Sequence, residues 1–144
     1  MNNSRELIAQ NIIGVLGNMD DPRLVQLTRD PFNVEELAIT QFPACLVSTG
    51  EELRDTVTMA AGMRQSTINF VIRGFVRGTN LDTARNRLIE SIEESLDNDR
   101  YRGQGNTRVL NSQVTSIEVV ERQPPLAEII VNFEVTYVFT RGTA

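Results

Sequence analysis

Leu7, Ile8, Ile12, Val15, Leu16 and Met19 recur at three- and four-residue spacing behind Ser4, a good N-cap. Residues 5–18 therefore read as an amphipathic helix, which Asp20-Asp21-Pro22 ends. Residues 23–29, Arg-Leu-Val-Gln-Leu-Thr-Arg, alternate as a short strand closed by Asp30-Pro31. Asn33 followed three residues later by Glu36 has the form of a cap with its reciprocating acid. It predicts a helical turn over 34–39 before Phe42-Pro43 extends the chain. The run Ala44-Cys45-Leu46-Val47-Ser48 is compact, apolar and β-prone, and reads as a buried strand.

Residues 50–66 show no clean period and contain Gly50 and Gly62, so a partly ordered excursion outside the core is expected there. Residues 67–77 predict a long strand with Ile68, Phe70 and Ile72 on one face, bent or bulged at Gly74 so that Phe75 leaves the alternation. Thr79 or Asn80 caps a second helix. Its apolar stripe is Ala84, Leu88, Ile92, Ser95 and Leu96, with Glu90, Glu93, Glu94 and Asp97 turned to water. A polar stretch over 98–107 leads to a strand over 108–121, Gln123-Pro124-Pro125 turns the chain, and 127–140 returns as the last strand. There Ile129, Val131, Phe133, Val135, Tyr137 and Phe139 share a face. This order, with one antiparallel pair at the end and no βαβ repetition, predicts one α+β domain over residues 1–144. Its single mixed, mainly antiparallel sheet carries two main helices on one face.

The length of 144 residues fits one core. Composition then removes whole classes of chemistry. With no His, one Cys and no Trp, a Ser-His-Asp triad, a Cys-His pair and a His-ligated metal are excluded. A single thiol makes no internal disulfide, which fits a reducing compartment. The opening MNNSRELIAQ lacks the form of a signal peptide and no apolar run is long enough to span a bilayer. A soluble chain made in the cytoplasm, with no membrane partner, is expected. All fourteen basic residues are Arg, against nineteen Asp and Glu, so the net charge is -5 and bulk affinity for nucleic acid is disfavoured. The missing Lys has two readings, bidentate ion pairing between proteins or genome composition.

Candidate chemistry is sparse. Cys45 lies in an apolar strand with no His or Lys near it in sequence, so its thiol is expected to be neutral and inert. Gly103-Gln104-Gly105-Asn106-Thr107-Arg108 starts like a dinucleotide fingerprint, but Arg108 replaces the third Gly and a strand follows. Asp97-Asn98-Asp99 starts like a calcium loop, but Tyr101 and Arg102 stand where a ligand and a Gly are required, so a helix end is expected. Neither a catalytic centre nor a cofactor or metal site is expected. Arg100, Tyr101, Arg102 and Arg108 concentrate positive charge and an aromatic ring in a Gly-containing loop, where binding functions sit. An ion pair to an acidic neighbouring subunit explains them better than base stacking does. Arg73 and Arg77, four apart on one strand face, either extend that basic surface or flank the sheet.

The N-terminal amphipathic helix, then Phe42-Pro43-Ala44-Cys45-Leu46-Val47 with Gly50-Glu51-Glu52, then Phe70-Val71-Ile72-Arg73-Gly74-Phe75-Val76-Arg77-Gly78 follow one another in a distinctive order. Leu88-Ile89-Glu90-Ser91-Ile92-Glu93 and the closing Val135-Thr136-Tyr137 continue it. In this order and spacing, over roughly residues 5–140, the chain resembles the tail terminator (tail completion, minor tail protein U-like) proteins of long-tailed bacteriophages. The resemblance implies a structural virion protein of α+β fold, assembled in the host cytoplasm into a homohexameric ring on the head-proximal end of the tail tube. Such a ring ends tube growth and offers a docking surface to the neck or head connector. Its partners would be its own copies, the tail tube protein, the connector, a sheath protein if the tail is contractile, and DNA passing through the lumen. An acidic lumen would repel that DNA. A ring needs two different complementary patches on each subunit, and the long strands at 67–77 and 127–140 are expected to supply edges for them.

A neck or head-tail adaptor of the same virion is the alternative, and a small α+β binding module or carboxylate enzyme is the reading from another class. The candidate assembly contacts are Arg73, Arg77, Arg100, Tyr101, Arg102 and Arg108. On this reading, reversing Arg100 and Arg102 together to Glu impairs assembly without unfolding the subunit.

Overall fold

The structure, a computed structural model, describes residues 4–54, 63–104 and 108–140. Helix α1 (Ser4–Gly17) is followed by the short strand β1 (Gln26–Thr28) and two 3-10 turns, Val34–Glu36 and Ile39–Gln41. Then come β2 (Ala44–Arg54), β3 (Met63–Arg77), α2 (Leu81–Asp97), β4 (Val109–Val120) and β5 (Leu126–Thr140). The strands make one sheet in the order β1-β2-β3-β5-β4, parallel only between β1 and β2. This is the expected α+β domain, with both helices on one face.

Period-two alternation in β3 and β5 builds the core. Ile68, Phe70 and Ile72 from β3 and Ile129, Val131, Phe133, Val135 and Tyr137 from β5 are buried beneath Ile8, Ile12 and Leu16 of α1 and Leu88, Ile92 and Leu96 of α2. Glu90, Glu94 and Asp97 face water and Glu93 is half-buried. Asn80 sits at the N-cap in a left-handed conformation, and its side chain makes no capping hydrogen bond. The turn at 34–36 is capped as expected by Asn33, whose Oδ1 accepts from the Glu35 amide at 3.1 Å. The reciprocating side chain belongs instead to the next turn, where Gln41 Oε1 accepts from the Ala38 amide at 2.9 Å. β1 is shorter than its alternating sequence predicts. A bidentate Arg29–Glu6 pair, at 2.7 and 3.0 Å, ties its end to α1.

Two expectations are corrected. Residues 50–54 and 63–66 are strand, because β2 and β3 stay paired through Arg54 and Ser66; residues 55–62 lie outside the described residues. The irregularity that erased the period is a bulge in β2 between Thr49 and Glu52. Gly74, by contrast, forms no bulge, and the β3–β5 register runs without a shift from Met63 to Arg77. Phe75 keeps the alternation and is buried on the opposite face, in a small second core with Val34 and Ala44 under Phe32, Leu37 and Phe42. The ring of Phe32 meets that of Phe75 edge-on at 5.7 Å.

Gly74 is required by proximity. A Cβ there would stand 2.8 Å from Leu88 Cδ2 and 3.0 Å from Ile129 Cγ1, so its small size lets α2 settle on the sheet. Gly74→Ala is expected to lower unfolding free energy by about 1–3 kcal/mol through overpacking, read as a lower urea midpoint at unchanged m-value.

Candidate functional site

The sheet face away from the helices carries the polar half of each strand. Asn69 Nδ2 donates to Asn132 Oδ1 at 3.4 Å, Asn132 Nδ2 donates to Ser116 Oγ at 2.9 Å, and the hydroxyls of Thr67 and Thr136 meet at 3.3 Å. This polar ladder crosses β3, β5 and β4. Towards the Arg77 end, the same face changes character. Glu128 is 0% exposed and is gripped from two sides. Arg73 reaches its Oε2 with Nε at 2.8 Å and Nη2 at 2.6 Å, and Arg122 Nε reaches its Oε1 at 2.6 Å. The Arg122 guanidinium also lies 5.6 Å from the centre of the Phe75 ring. Arg73 is thus engaged inside the subunit with its outer part in water, whereas Arg77 is exposed.

The loop after α2 separates its arginines. Arg100 is exposed, donates from Nε to Asn111 Oδ1 at 2.8 Å and lies 5.5 Å from the centre of the Tyr101 ring, which packs partly against the core. Arg108 is exposed, and its carbonyl accepts from the Val138 amide at 2.8 Å. Arg102 is the exception. It is 0% exposed, has a left-handed backbone (φ 51°), and its Nη2 donates to the carbonyls of Leu96 and Asp99 at the end of α2. Its guanidinium lies 5.2 Å from the Phe133 ring centre. Burial lowers its pKa, with the charges of Asp99 and Asp97 acting against that shift. The expectation that Arg102 faces a neighbouring subunit is therefore corrected. It closes the C-terminus of α2, where carbonyls without helical partners need donors.

The six candidates do not form one surface. Arg77 pairs with Leu126 at one end of β5, while Asn111, the partner of Arg100, pairs with Thr136 at the other. At the strand rise these ends are roughly 34 Å apart. Arg73 and Arg77 flank one end of the sheet; Arg100, Tyr101 and Arg108 mark the other. The strands expected to offer free edges also change. β3 and β5 are paired on both sides, so the open edges belong to β4, to the short β1 and to the part of β2 beyond its pairing with β1.

Sequence reasoning missed a second, half-buried carboxylate. The bulge in β2 turns Glu52 towards the core side, where its Oε2 accepts from Ser66 Oγ at 2.5 Å and from the Tyr137 hydroxyl at 2.8 Å, with Arg54 Nε at 3.1 Å. Burial, and then the hydrogen bond to Glu52, push the Tyr137 pKa up to about 12. The neutral phenol is the form the fold favours. Its contribution to stability is complete below pH 10.0, the reference value, and is lost as pH rises towards about 12. Tyr137→Phe is expected to flatten this part of an alkaline unfolding curve followed by circular dichroism. Cys45 is fully buried and its thiol pKa is likewise pushed up to about 12 by burial, in keeping with the neutral thiol read from the strand.

Among the described residues no group of three or more His, Cys, Asp or Glu is placed to hold a metal ion. A polar hollow of ≈ 280 Å³ between the ends of α1 and α2 is lined by Asn18, Asp20, Asp21, Ser91, Glu94 and Asn98. The Ser91 hydroxyl donates to the Asp21 carbonyl, and Arg87 pairs with the Asp21 carboxylate at the edge of the hollow. Among the described residues, no helix is long and apolar enough to cross a membrane.

No protein-family model matches the sequence, and no curated protein matches it. Solved structures do match the fold. A chain in the virion of a native gene transfer agent (GTA) particle superposes with a TM-score of 0.50 at 11% identity, over 94% of this chain and 95% of that one. The fold is shared with a virion chain. The coverage on both sides takes in the sheet and both helices, so the shared architecture is that of the whole domain.

Proposed function

We propose that this chain is a structural virion protein, a non-enzymatic subunit of a ring that caps the head-proximal end of a phage tail tube and presents a docking surface to the neck. The single observation that supports a virion role is the near-complete overlap of fold with a chain of the gene transfer agent virion. The resemblance carried by Phe42–Val47, Phe70–Gly78 and Val135–Tyr137 points to the terminator within that setting. In a closed ring each copy presents two unlike patches, and a sheet with unpaired strand at both of its borders offers them. A net charge of -5 suits a lumen that passes DNA without holding it.

Native mass spectrometry over a range of concentrations tests the ring directly, and purified tail tubes test its place. The expected results are a six-subunit species and binding to one tip of each tube. A stable dimer indifferent to tubes would sink the reading in favour of a binding module or enzyme. A ring that binds the connector but not the tube would select the neck adaptor.

A further inference from the structure

Two exposed apolar features lie apart on the subunit, one on edge strand β4 and one where the segment before β2, the end of β3 and α2 meet. On β4, Ile117 is 38% and Val119 is 52% exposed. Their register opposite Val131 and Ile129 puts them on the helix side, at the edge that the helices leave uncovered. Glu121 follows two residues on and is exposed. Across the sheet, Ile39, Phe42, Pro43 and Val76 form the walls of a groove of ≈ 260 Å³, with Arg77 and Arg87 at its rim. Ile39 is 69% exposed. Neither Arg77 nor Glu121 makes an ion pair among the described residues.

We propose that the Ile117–Glu121 segment of one copy seats in the Ile39–Phe42–Val76 groove of the next copy, apolar side chains inward and Glu121 against Arg77. The proposal rests on the ring reading above and names its subunit contact. Two observations select a second copy of this chain as the occupant. The patches are complementary in charge as well as in polarity: a carboxylate flanks the apolar pair, and Arg77, which makes no ion pair among the described residues, lines the groove beside Arg87, itself held by Asp21. They are two unlike patches on separate parts of the subunit, edge strand β4 and the groove between the start of β2, the end of β3 and α2, as a head-to-tail contact requires. The same contact covers the unpaired edge of β4, which would otherwise be a template for uncontrolled pairing.

The test combines native mass spectrometry with disulfide trapping. Val119→Asp is expected to weaken self-association by at least about tenfold, as loss of an apolar anchor does. Arg77→Glu and Glu121→Arg should each weaken it, and the two changes together should restore it. Mixing Ile39→Cys with Val119→Cys should give covalent dimers on mild oxidation, while neither variant alone should; buried Cys45 stays outside this reaction. If Val119→Asp fails to fold, the charge swap and the trapping decide. A wild-type ring that gives no mixed dimers and no restoration by the swap overturns this contact and leaves the ring standing. A wild-type chain that forms no ring, alone or with tail tubes, overturns both.

Discussion

Arg102→Glu is expected to lower the unfolding free energy by about 3–5 kcal/mol, the cost of leaving a buried charge without its partners. The present side chain donates to the Leu96 and Asp99 carbonyls and spreads its charge over Phe133. A carboxylate in its place has nothing to donate. It would face two carbonyl oxygens and the negative end of α2, in a position with no access to water. Arg100→Glu, at an exposed side chain with one bond to Asn111, should cost under about 1 kcal/mol. The paired substitution at 100 and 102 is therefore expected to unfold the subunit, and any loss of assembly would follow from that. Urea titration of the two single variants checks the separation. A stable Arg102→Glu subunit would mean that the guanidinium does not close α2.

The second large effect lies on the other face. Removing both Arg73 and Arg122, each to Met, leaves the Glu128 carboxylate buried between apolar neighbours and is expected to cost about 3–5 kcal/mol. Each single change leaves one charged donor in place and should cost about 1–2 kcal/mol. A combined loss larger than the sum of the two single losses is expected, because only the double change strips the carboxylate of every charged donor; a double-mutant cycle in urea measures that coupling. Adding Glu128→Gln to the double variant should recover part of the loss, since an amide is cheaper to bury than a carboxylate. No recovery would mean that the arginines act through their packing on Phe75.

These two clusters mark where sequence reading ran out. The alternation of Ile129 to Phe139 and the stripe Leu88-Ile92-Leu96 encode the core directly, because burial on one face repeats at a fixed interval. What sits opposite that face depends on partners far away in the chain. Phe75 looked displaced because the segment that covers it, around Phe32 and Phe42, is over thirty residues earlier and has no period of its own. Glu52 looked like loop because a bulge breaks the count by which strands are recognised. Glu128 left a faint mark, a lone acid in the run Leu126 to Val131, but the alternation assigns it only to the polar face and says nothing of a clamp. Arg102 and Arg100 are chemically alike and two residues apart. Only the left-handed turn at Arg102 sends one inward and leaves the other in solvent.

The strand order also governs when the molecule can take shape during synthesis. β5 stands between β3 and β4, so an inner strand of the sheet is supplied by residues 126–140, made after every strand and helix it packs with. Its ladder with β3 joins Arg77 to Leu126 at the near end and Met63 to Thr140 at the far end, and every rung closes a long loop. Until Thr140 has emerged, α1 and α2 have only half a platform to rest on. The nascent subunit therefore cannot complete its core piece by piece from the N-terminus. Such non-local pairing places refolding in the slower, millisecond-to-second regime of small domains, and subunits become competent to assemble all at once.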